Sequence, residues 1–290
     1  MTITILFLGL SILSVYIGSA TKRAELRIYN ETVAALQAGG ATALPPAPEI
    51  HTLTTLANLI EYVAIVGAIL AVILGYDTLI AERESGGLKL ILSRPVYRDQ
   101  LIAGKFLGNG AVIGSLLGLV FVFNLALLAL VGGITPTLGE AARLFVFTLM
   151  ALAYMLIFLS LSMFLSIRMN HGASVFLVSL VVWVVFSFVI PQMADTQMAN
   201  SNVVNGISGA INQIPQDTVR SQTINFLSPT WHMRNISGQL LQSAPGSGAI
   251  HVGTLISHSL ITLVILLAPT TALIAAGLAN FLRNETLVLD

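Results

Sequence analysis

The side chains able to do chemistry are few, and they cluster. Asp77, Glu82, Arg83, Glu84, Lys89, Arg94, Arg98, Asp99 and Lys105 fall within residues 76–105 of a 290-residue chain in which charged residues make up only 9%. Carboxylates and cations interleaved over so short a stretch suit docking against a complementary polar surface, or simply facing water. The Gly104-Lys105 pair raises the question of phosphate binding. A phosphate loop needs Gly, four residues, then Gly-Lys-Ser/Thr, because its amides wrap the phosphates and its hydroxyl holds magnesium. Here Asp99 stands at the place of the first glycine and Phe106 at that of the hydroxyl, so the pair is not a phosphate loop. His232, His251 and His258, with Met193, Met198 and Met233, are soft donors of the kind copper accepts. No ligand spacing unites them, and no metal is expected. With no cysteine, the chain has no disulfide, thiolate metal site or cysteine nucleophile. Thirteen basic and thirteen acidic residues cancel, leaving no overall field to recruit nucleic acid.

The elements that must position these residues are dictated by composition. Hydrophobic residues make up 56% of the chain, whereas a soluble domain carries about a quarter charged residues. A helix needs about 20 mostly apolar residues to cross a bilayer. Six such runs occur, at about 2–20, 56–75, 106–131, 144–167, 173–190 and 252–282. The expected fold is an all-α integral membrane protein, a single transmembrane domain over 1–290. The first run lacks the positive flank of a signal peptide and is taken as a retained span. Residues 21–55 read as a polar loop with a short helix and a proline-rich tail. Residues 191–250 read as a large polar loop in which Val203, Ile207, Ile211 and Ile214 are spaced like one face of an interfacial helix. Pro269 predicts a kink or break in the last span. Gly67, Ala71 and Gly75 in the second span, and Gly108, Gly110, Gly114 and Gly118 in the third, are the small residues that let membrane helices approach closely. Glu61 and Asn124 are the main polar groups in the apolar runs. Ion-coupled carriers place ionisable groups mid-membrane, so so sparse a set disfavours proton or sodium coupling.

Within 76–105 the pattern continues a helix out of the membrane as far as Glu84, and Gly86-Gly87 ends it. A second short helix carries Leu88, Ile91 and Leu92 on one side and stops at Ser93-Arg94-Pro95. The chain then re-enters the membrane through 97–105. The product is a short amphipathic element, flanked by charge and held against the membrane face.

This order of residues resembles the signature of the type-2 ABC permeases, the family that includes the nitrous-oxide-reductase maturation permease. The shared pattern is an acidic residue, Glu-x-Glu-x-Gly, a small residue and Leu, then Leu-Ser-x-Pro-Val-x-Arg and a Gly-Lys. Asp77, Glu82, Glu84, Gly86, Leu88, Leu92, Ser93, Pro95, Val96, Arg98, Gly104 and Lys105 fall on it. Gly87 departs from it, since the family usually has threonine there, and the basic cytoplasmic helix that usually precedes the first span has no counterpart in this sequence.

The resemblance implies that 76–105 is a cytoplasmic coupling segment seated in a groove of a separate ABC ATPase subunit. Glu82, Arg83, Glu84 and Arg98 would make its polar contacts, and Leu88, Ile91 and Leu92 its apolar anchor. It implies a non-catalytic permease with no cofactor of its own, ATP and magnesium lying on the partner. It further implies a second permease copy, identical or homologous, and a multi-pass location in a prokaryotic cytoplasmic membrane. The loop 191–250 would then be extracytoplasmic and open to a partner. Export is the expected activity, with a mechanical transmitter and a stand-alone channel or carrier as the alternatives.

Overall fold

Apolar stretches in hydrocarbon can satisfy their backbone only internally, which a helix does within one segment. The computed structural model describes residues 2–40, 44–45, 51–85, 98–132, 136–169, 171–204, 211–243 and 252–283. Helix α1 covers Thr2–Ala38, and a 3-10 turn at Thr52–Leu56 leads to α2 (Asn58–Tyr62), a π turn (Val63–Gly67) and α3 (Ala68–Glu84). Then come α4 (Arg98–Gly132), α5 (Leu138–Arg168), α6 (Gly172–Val184), a second π turn (Val185–Val189) and α7 (Ile190–Asp195). Strands β1 (Ala199–Val204) and β2 (Ile211–Gln216) precede α8 (Val219–Phe226), α9 (Pro229–Leu240) and α10 (Val252–Arg283). Among the described residues, six stretches are long and apolar enough to cross a membrane: Ile3–Ala38, Thr52–Glu82, Gln100–Leu130, Leu138–Arg168, Gly172–Asp195 and Gly253–Asn280. The all-α, six-span expectation is met.

Three expectations are corrected. The polar loop predicted after residue 20 is helical, because α1 runs unbroken to Ala38. Its charged residues support the extension through pairs such as Arg27 with Glu31, one turn apart at 2.9 Å. Gly40, at φ +74°, then ends the helix in the left-handed conformation that glycine adopts without steric cost.

The second correction concerns the interfacial helix expected across Val203, Ile207, Ile211 and Ile214. Val203, Ile211 and Ile214 lie instead in an antiparallel hairpin, with Ala199 opposite Gln216 and Val204 opposite Ile211; Ile207 lies outside the described residues. β-Branched residues favour the pleat, and asparagines at 200, 202 and 212 disfavour a helix. Third, of the kink or break expected at Pro269 the break is absent, since α10 continues through it. Membrane helices tolerate such a proline more readily than soluble ones do.

The chain divides into two compact units. The first contains Met1–Gly67, Gly110–Ala153 and Asn235–Leu263. Its helices pack through Phe7, Leu59, Val63, Leu117, Leu144 and Phe147 around a residual cavity of about 20 Å³. A side chain at Gly18 would overlap the Thr55 backbone, so α1 and the 3-10 turn meet backbone to backbone there. The second unit contains Ala68–Asn109, Tyr154–Arg234 and Val264–Asp290. It holds the described ends of the 76–105 stretch together with the hairpin, α8 and the first half of α9.

Candidate functional site

The charged stretch begins on α3 and ends on α4, and both of these roots lie in the second unit. Gly86, Leu88, Ile91, Leu92 and Pro95, with the short amphipathic helix expected there, lie outside the described residues. The geometry at the two roots of the stretch is defined. Lys105 of α4 pairs with Glu82 Oε1 at 2.6 Å and also donates to the Thr78 carbonyl. Both charged side chains are largely shielded, at 20% and 29% exposure. One turn along α4, Asn109 donates to Thr78 Oγ1 at 2.8 Å and to the Leu74 carbonyl at 3.1 Å. Thr78 Oγ1 donates in turn to Leu74 O at 2.7 Å. Together these groups form a polar clasp across α3 and α4 where α3 ends, the end at which a helix favours a cation. Lys105 is therefore helical and already paired, which is a different environment from a lysine in a phosphate loop.

The clasp is backed by close packing. A Cβ on Gly75 would come within 2.6 Å of the Leu159 carbonyl and 2.8 Å of Ser162 Cβ, so α3 and α5 touch through the glycine. Ser162 confirms the approach by donating to the Val72 carbonyl at 2.9 Å. On another side of α3, Gly172 at the start of α6 lies where a Cβ would be 3.0 Å from Ile80 Cγ2. Tyr76 and Phe176 meet one turn away with their rings tilted at 59° and their centres 5.6 Å apart. Ile102, Met163 and Ile167 form a buried cluster that ties the start of α4 to the end of α5, and Leu278 of α10 packs against it.

The sequence-predicted residues thus separate by position. Glu82 and Lys105 meet directly, and Asp77 is exposed on α3. Arg83 and Glu84 are the last residues of α3, and Arg98 is the first of α4. Ala71 and Gly75 are buried within the second unit, and Gly67 is buried within the first. Gly110 lies in α4, and a Cβ on Gly108, Gly114 or Gly118 of the same helix would meet no atom within 4 Å. Asn109, Thr78, Ser162 and Gly172 were missed by sequence reasoning. The signal that points to Asn109 is a polar amide within an otherwise apolar helical run, four residues after Lys105. Among the described residues, Glu82 Oε2 is buried with no hydrogen-bond partner, an acceptor left open beside the stretch that the motif occupies.

A second constellation lies in the same unit, after the fifth span. Ser228 caps α9, accepting from the Trp231 amide at 3.1 Å while donating to the Phe186 carbonyl at 2.6 Å, and Pro229 fills the first helical position. The neighbouring Thr230 hydroxyl lies 3.2 Å from Tyr154 Oη of α5 and 2.8 Å from Ser187 Oγ of the second π turn. All three residues are buried. Thr230 therefore links the polar region after α7 to two spans at once. His232 donates from Nε2 to the Phe226 carbonyl at 3.0 Å, since a carbonyl can only accept. Burial holds its pKa below the ordinary histidine value, against a smaller upward pull from that bond. Among the described residues, no three His, Asp or Glu side chains converge as a metal site.

A clasped helical pair at the roots of a charged segment, set among six candidate spans, agrees with the comparison that decides the family. The profile of the ABC-2 family transporter proteins matches residues 3–286. The chain belongs to the ABC-2 family. Over 135 residues it is 33% identical to the probable ABC transporter permease protein NosY of Pseudomonas aeruginosa, covering 46% of this chain and 48% of that protein. Over 139 residues it is 32% identical to the protein of the same name from Stutzerimonas stutzeri, covering 47% and 49%. The chain spans about half the length of these curated relatives in the matched region. The structure places the Glu82–Lys105 pair at the two roots of the 76–105 stretch of this ABC-2 protein.

Proposed function

We propose that this chain is the membrane-spanning permease subunit of an ATP-driven ABC exporter in a prokaryotic cytoplasmic membrane. A separate cytoplasmic ATPase subunit would grip residues 76–105, and a second permease copy would complete the transport path. ATP and magnesium would reside on the ATPase. The observation that carries this reading is the clasp Glu82–Lys105–Thr78–Asn109. It makes a stiff base for an external lever, built from two residues that fall on the motif, Glu82 and Lys105, and two that do not, Thr78 and Asn109, in a chain of the ABC-2 family. A lever transmits work only if its root does not yield, and the root here is held by shielded charge, amide hydrogen bonds and glycine-mediated contact.

Co-expression with candidate ABC ATPase subunits of the same organism tests it. The permease and one such subunit should co-purify, and Glu84→Lys combined with Gly86→Leu should abolish the association while the permease still inserts. Undiminished co-purification of that variant, or solute movement by the permease alone in proteoliposomes, would sink the proposal.

A mechanical transmitter that drives an extracytoplasmic partner is the second reading. It is favoured by the composition of the second unit, in which 68–109 and 154–234 belong to one compact body.

A further inference from the structure

The second unit encloses a partly open cavity of about 630 Å³, a size ordinarily found for small-molecule sites. Its walls include Phe158 and Leu161 of α5, Phe186 of the second π turn, Leu273 and Ala276 of α10, and Phe226 at the end of α8. Three of these walls come from residues within the candidate spans Leu138–Arg168, Gly172–Asp195 and Gly253–Asn280. Around such spans the medium is lipid hydrocarbon.

The candidate occupants can be separated by their chemistry. Every lining side chain is apolar except His232, and its Nε2 proton is already given to the Phe226 carbonyl at 3.0 Å. An ion or headgroup would find no charged partner on these walls, and an ordered water needs two to four polar ones. An empty void of this volume would deprive the surrounding rings and aliphatic chains of contacts on one side, a large penalty that adjacent fluid hydrocarbon can relieve. We propose that the cavity is an acyl-chain site, which admits one hydrocarbon chain of a membrane phospholipid sideways from the bilayer and leaves the headgroup outside. The site goes beyond the coupling role of residues 76–105 and requires no ATPase, so its fate is independent of that reading.

The permease alone, in bilayers of phosphatidylethanolamine containing a phospholipid with a photoreactive diazirine midway along one acyl chain, provides the test. After irradiation, adducts should map to the peptides carrying Leu161, Phe186 and Leu273. Ala276→Trp, which fills the cavity, should lower those adducts by at least about tenfold, a modest loss of occupancy free energy. Ala275→Trp, on the next residue and outside the lining, should leave them unchanged. Labelling of the exposed Leu177 and Val181 should persist in every variant and report ordinary surrounding lipid. If Ala276→Trp fails to fold, the ratio of adducts on lining peptides to those on Leu177 and Val181 in the unaltered protein decides. Adducts confined to Leu177 and Val181, lining adducts indifferent to Ala276→Trp, or cross-links showing the lining covered by a second copy of the chain would each overturn the proposal.

Discussion

At Gly75 the absence of a side chain is what lets two spans touch. A methyl group there would sit 2.6 Å from one backbone oxygen and 2.8 Å from Ser162 Cβ, and the backbone has no flexible end to retract. Gly75→Ala should therefore lower stability by about 1–3 kcal/mol, the usual range for overpacking, seen as a lower unfolding temperature in detergent. Gly114→Ala, with open space around it in this chain, should be neutral or slightly stabilising because alanine is the better helix former. Equal destabilisation by both would remove the argument from close approach. The sequence marked both glycines as packing residues on spacing alone, since small-residue spacing records what an interface permits and not whether one is present. Glu82 and Lys105 were legible as motif members, but their contact at 2.6 Å was not. They stand on different helices, and the path between those helices is not coded by local periodicity.

Helices long enough to span were the most legible elements, because hydrophobic runs and helical backbones are imposed by the same solvent. The region from 191 to 250 was least legible. Its apolar residues are sparse, and a helical spacing of four coincided with what is an antiparallel hairpin. Nor does any periodicity reveal that Phe226 and His232 line the same cavity as residues of the spans. That placement gives α9 a measurable pH response. An unfolded histidine titrates near pH 6.5, and burial lowers the value for His232 in the folded protein. Above about 6.5 the ring is neutral in both states and adds no pH dependence. Below it the unfolded chain takes up a proton that the folded ring resists, so stability falls as pH drops toward the folded value, by at most about 1.4 kcal/mol per pH unit. His232→Gln should flatten this component in thermal unfolding followed from about pH 7.5 to about pH 5. An unchanged acid slope would assign it to other groups.

For the whole molecule, the relevant fact is which segments share one compact body. The second unit joins the roots of 76–105 to α8 and the first half of α9, and Tyr154 and Thr230 belong to it together. If an ATPase works on one end of this body, the Tyr154–Thr230–Ser187 hydroxyl chain is where its effect would reach α9. Thr230→Val keeps the shape while removing the hydroxyl that Tyr154 and Ser187 share, a loss of about 1 kcal/mol, the usual net worth of a hydrogen bond. On the transmitter reading, the unaltered complex should show nucleotide-dependent amide protection across 219–240. The Thr230→Val complex should lose that response while still retaining the ATPase, because the substituted residue lies far along the chain from Glu84 and Gly86. A hydroxyl chain that serves only local stability would give a different pattern: protection lowered equally with and without nucleotide, and a nucleotide response of undiminished size. Ser187→Ala should reproduce the Thr230→Val result more weakly, since it leaves the Tyr154–Thr230 contact in place. A normal nucleotide response in both variants would break the mechanical link through α9 while leaving the coupling role of 76–105 intact.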